Sequence, residues 1–170
     1  MPERAPLSDR FLKIYLNDHL AGAAAGVALA DRVATENAGS EFGPPLRRLC
    51  EEIREDRHEL VAIMAAHHCP TNRVKVVLGW CAEKVGRVKL NGRRFRSSPL
   101  NRLEELELLG AGVRTKEALW RALSASLPRN EADAASFERL TTRAAEQLMR
   151  IQHLHARAAE LALGPKAEFQ

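Results

Sequence analysis

Apolar residues recur along most of this chain at the three- and four-residue steps of an α-helix. The pattern predicts long amphipathic helices over 8–37, 44–68, 98–127 and 130–163, and a shorter one over 72–89. Their ends carry separate signals. Ser8 stands where an N-cap belongs, and Asn37, Ala38, Gly39 and Ser40 break the first helix. Pro44 and Pro45 suit an opening turn, and Pro70 closes the second helix. Thr71 or Asn72 caps the short helix, which stops at Asn91-Gly92. Ser98 and Pro99 open the next long helix, and Pro128 follows its end. The last begins at Asn130, has Glu131 and Asp133 in its first turn, and closes at Gly164-Pro165.

Loop lengths turn these elements into a topology. The first and second long helices, and the third and fourth, are joined by short links that make antiparallel neighbours. The second and third are separated by about thirty residues that carry their own helix, enough to cross the bundle and leave the two parallel. The expected fold is an all-α, up-down-down-up four-helix bundle with an extra short helix in the crossover, one domain over residues 1–170. In this plan the chain resembles the ferritin-like superfamily. The segments Tyr15 to Gly22, Gly79 to Lys84 and Lys89 to Arg93 are also similar to a group of small actinobacterial helical proteins without an assigned activity. The second likeness implies no function.

Composition agrees with helices and narrows the setting. Alanine and leucine dominate, and aromatic residues make up only 5% of the chain, so leucine-rich packing must supply the core. Cys50, Cys69 and Cys81 follow no metal-like spacing, which fits reduced thiols in a cytoplasmic protein. Pro2, Glu3, Arg4 and Pro6 do not form a signal-peptide pattern. The longest uncharged apolar run, Leu20 to Ala30, falls short of the roughly 18 residues that span a membrane. Within it, Gly22 and Gly26 are expected to let a neighbouring backbone approach closely.

Against this background two ionisable residues stand out. The first seam reads Leu12, Leu16, His19, Ala23, Gly26, Ala30, Val33, with Asp18 beside the histidine. The second reads Leu46, Leu49, Ile53, Asp56, Leu60, Ile63, His67. An ionisable group on the inner stripe of a bundle needs a partner. The expected topology brings His19 level with Asp56 and Glu59 of the second helix and Glu117 of the third, with Lys116, Arg114 and Arg57 nearby. The reading adopted is a buried ion network centred on His19 that fixes helix register. The alternative is one divalent cation, iron, manganese or zinc, held by His19, Asp56 and Glu117 with Asp18 or Glu59 assisting.

The ferritin-like resemblance implies a di-iron site built from two single glutamates and two Glu-x-x-His strings. The chain departs from that pattern. Glu55 and His58 form one such string, but at about 100° per residue His58 lies roughly 160° around the helix from Asp56. The nearest second string, Gln152 with His155, lacks the carboxylate. No intact di-iron site and no cofactor are expected.

Charge is the last signal. Between Thr71 and Arg96 eight cations (Arg73, Lys75, Lys84, Arg87, Lys89, Arg93, Arg94, Arg96) face one acid, Glu83. That net of +7, within a chain of net +4, leaves −3 elsewhere. The segment is expected to be a solvated face paired with the acidic helices; the alternative is an anion-binding module for nucleic acid or an anionic surface. Long helix faces and Trp80 also offer surface for a homodimer. No phosphate loop, dinucleotide fingerprint or nucleophile elbow occurs, and no catalytic residue can be named. The function expected is a binding or structural role, without an enzymatic reaction.

Overall fold

The computed structural model of the protein describes residues 7–71, 98–127 and 131–165. It contains four long helices, α1 (Leu7–Glu36), α2 (Gly43–Ala66), α3 (Pro99–Ser126) and α4 (Glu131–Leu163), and no strand among the described residues. None of these helices is long and apolar enough to cross a membrane. The crossover helix expected over 72–89 and the Asn130 cap lie outside the described residues. So do Arg73, Lys75, Trp80, Cys81, Lys84, Arg87, Lys89, Arg93, Arg94 and Arg96.

Local chemistry sets the helix ends. Ser98 sits in extended backbone and its hydroxyl accepts a 3.2 Å hydrogen bond from the Asn101 amide, with Pro99 at the first helical position. Between α1 and α2 the chain reverses over Asn37–Phe42. The tight approach there requires Gly43, since a Cβ would meet the Ala38 carbonyl oxygen at 2.7 Å. The second helix stops two residues before the sequence-based end at His68. His67 caps it, His68 turns left-handed at φ 50°, and the amides of His68 and Cys69 reach back to the carbonyls of Ala65 and Met64. That is a Schellman motif with histidine in the place usually taken by glycine, and so it leaves no glycine in the sequence to mark it.

Packing is closest between α3 and α4, then between α1 and α2, with α1 also against α3. Leu16, Leu49, Leu60, Met64, Leu119, Trp120, Leu123 and Leu140 belong to the larger of two apolar clusters. Val33, Phe42, Leu46, Leu103, Leu106 and Leu154 form the smaller, at the end near the α1–α2 turn. Each buried leucine contributes about 1.5–3 kcal/mol. Polar pairs give the register. Asn37, just past the end of α1, meets Arg102 of α3, and Arg32 of α1 meets Glu105 of α3, so one numbering falls as the other rises. Arg102 also stacks over Phe42 at 4.3 Å, and Asp56 meets Lys116, so the α2 and α3 numbers rise together. Glu41 of the α1–α2 turn and Glu52, Glu55 and Glu59 of α2 pair with Arg157, Arg150, Arg143 and Arg139 of α4, again in opposite order.

Candidate functional site

Asp56, rather than His19, is the centre of the buried polar layer. It is 2% exposed and receives Lys116 of α3 together with Arg143 and Gln147 of α4. Gln147, fully buried, accepts from the Lys116 ammonium and donates to Asp56 and Glu52 at 3.1 Å each. Glu52 is then held by both terminal guanidinium nitrogens of Arg150, Nη1 at 2.7 Å. Every charge in the layer has an opposite neighbour, which is what burial demands. Burial pushes the Lys116 ammonium below its usual range, although Asp56 opposes the shift. Burial also pushes the Glu52 carboxyl up, but Arg150 and Gln147 outweigh it and hold the group below the usual carboxylate range.

The other expected members take different places. His19 is half-buried, with its ring edge-on to Tyr15 at 4.4 Å between centroids. Burial lowers its pKa and Asp18 only partly restores it, so the imidazole is neutral near neutral pH. Asp18 itself is exposed. Glu59 pairs with Arg139 at 2.7 Å, and Glu117 with Arg121 at 2.6 Å on its own helix. Glu55 and His58 are exposed, and His155 meets Glu107 at 3.1 Å near the surface. Among the described residues no three histidine, cysteine or carboxylate groups gather as a metal ion would need. Cys50 donates to Asp31, and burial, followed by that carboxylate, pushes its thiol up to about 11. It is a packing thiol rather than a nucleophile.

What the structure does bring together is a cavity. About 220 Å³ of space lies among α1, α2 and α3, walled by Ala23, Leu29, Ile53, Leu60, Leu109, Val113 and Leu119. Exposed Gly22, Leu108, Gly112 and Thr115 form its rim. His19 and Asp56 both reach its wall, with Arg57, Lys116 and Trp120. The glycines correct the close-approach expectation: a Cβ at Gly22, Gly26 or Gly112 would meet nothing within 4 Å. These glycines leave room rather than admit a backbone.

Three residues of the wall have unmet bonding capacity: Asp56, whose Oδ1 is met only by the Arg143 ion pair, Trp120 and Arg57. The Asp56 and Trp120 atoms are sealed from the cavity space. Trp120 is 1% exposed, and its indole N–H has no hydrogen-bond partner. A buried indole N–H is ordinarily satisfied, and leaving one bare costs about 1–3 kcal/mol. Arg57 is half-buried, and among the described residues it makes no ion pair or hydrogen bond. Trp120 follows Leu106 and Val113 at seven-residue steps and so reads as an ordinary core residue, and Arg57 was expected only as a cation near the His19 cluster, so neither stood out as a cavity group. Gln147 escaped notice because it is an uncharged residue within the broad buried stripe of α4, seven residues from both Leu140 and Leu154 and beside Ala144 and Leu148. No protein-family model matches the sequence, and neither curated proteins nor solved structures show a significant similarity to it.

Proposed function

We propose that this protein is a small-molecule-binding helical bundle with the up-down-down-up topology of ferritin-like proteins, and that its polar layer is structural rather than a metal centre. The opposite-order pairs along α1/α3 and α2/α4, and the same-order pairs along α2/α3, support the topology. A cation at Asp56 would have to displace Lys116 and Arg143, which already neutralise it.

The observation that carries the binding role is the apolar cavity among α1, α2 and α3. A cavity of about 150 Å³ lined by aliphatic side chains holds benzene, so this one suits a fused-ring molecule or a short alkyl chain. Indole serves as a probe. At millimolar indole the melting temperature should rise by mass action. The Gly26→Leu variant, whose side chain enters open space, should lose that shift while melting no lower than the parent without ligand. No shift in the parent, or an unchanged shift in Gly26→Leu, overturns the binding role.

A further inference from the structure

We infer that the cavity's ligand is a small amphipathic monocarboxylate, its apolar body among the leucines and its carboxylate on Arg57. This rests on the binding role above and adds the ligand's charge. Of the charged groups in the wall, Asp56 and Lys116 satisfy each other, and Arg143 compensates Asp56 from the far side. Arg57 is left over, so the wall carries one positive charge with no carboxylate among the described residues to meet it.

A guanidinium beside an apolar cavity favours an anion that offers two acceptor oxygens, because its planar fork matches a carboxylate. His19 is neutral near neutral pH and leaves that charge balance unchanged. One excess charge corresponds to a monoanion. The size of the cavity limits the rest of the molecule to a fused ring or a chain of comparable bulk.

The test uses three probes on the intact chain: indole, indole-3-carboxamide and indole-3-carboxylate, titrated calorimetrically near neutral pH. The carboxylate should bind at least about tenfold tighter than the amide, the increment typical of a charge-assisted hydrogen bond. In Arg57→Gln that preference should fall below about threefold while indole binding stays within about twofold, since only the anion's partner is gone. Arg57→Lys should keep an intermediate preference, because charge remains but the fork is lost. Equal binding of carboxylate and amide to the parent, with indole bound, overturns the carboxylate assignment and leaves the binding role standing. A carboxylate preference undiminished in Arg57→Gln overturns the assignment to Arg57. Failure of indole itself to bind removes the binding role and the ligand class together.

Discussion

At the scale of single residues, Asp56 sets the terms for its surroundings. Its carboxylate compensates Lys116 and Arg143, both largely buried, and it shares Gln147 with Glu52. Asp56→Asn keeps the shape and removes the charge, leaving two cations facing an amide. The expected loss is about 3–5 kcal/mol by urea denaturation, because an uncompensated buried charge costs more than the pair contributed. The double variant Asp56→Asn/Lys116→Met removes one of those stranded charges and should recover a large part of that loss. A single-variant loss below about 1 kcal/mol would show that water already screens the layer. Asp56 was legible because a carboxylate interrupts an apolar seam. Its partners were only partly so: Lys116 was expected nearby, whereas Arg143 and Gln147 depend on how α4 is rotated. His19 interrupts its own seam too, yet that seam borders a cavity rather than the layer, and periodicity cannot distinguish a void from a partner.

At the scale of elements, helix ends were readable where a cap has a side-chain signature and obscure where backbone conformation does the work. Ser98-Pro99 announces α3, and the observed hydroxyl-to-amide bond follows from it. The end of α2 depends on His68 at φ 50°, an exposed residue in a conformation that costs a side chain roughly 1 kcal/mol and glycine almost nothing. His68→Gly should therefore raise stability by about 0.5–1 kcal/mol, lessened by glycine's greater freedom in the unfolded chain. Chemical denaturation reads this directly, and a destabilised variant would mean that the His68 ring makes contacts worth more than the strain. The α1 glycines show the opposite failure. Their spacing suggested a close helix crossing, but only the neighbouring helix's distance decides whether small residues are filled against or left open.

At the scale of the whole molecule, two kinds of interface hold the helices together. The α3–α4 and α1–α2 contacts are close and apolar, whereas α2 and α4 are linked by arginines reaching across to glutamates. Partly exposed pairs of this kind contribute about 0–1 kcal/mol each, so the ladder adds little to overall stability. Its value lies in direction, because the four rungs match only if α2 and α4 run oppositely in that order. Glu59→Arg should cost about 0.5–1 kcal/mol by setting like charges together at the Arg139 rung. Adding Arg139→Glu rebuilds the pair with reversed polarity and should restore stability to within about 0.5 kcal/mol of the parent. Adding Arg157→Glu instead, at the other end of the ladder, should restore nothing, since it places an acid opposite Glu41 while the like charges at residue 59 remain. Rescue by the distant change would contradict the order of the rungs, and with it the antiparallel alignment on which the bundle topology rests.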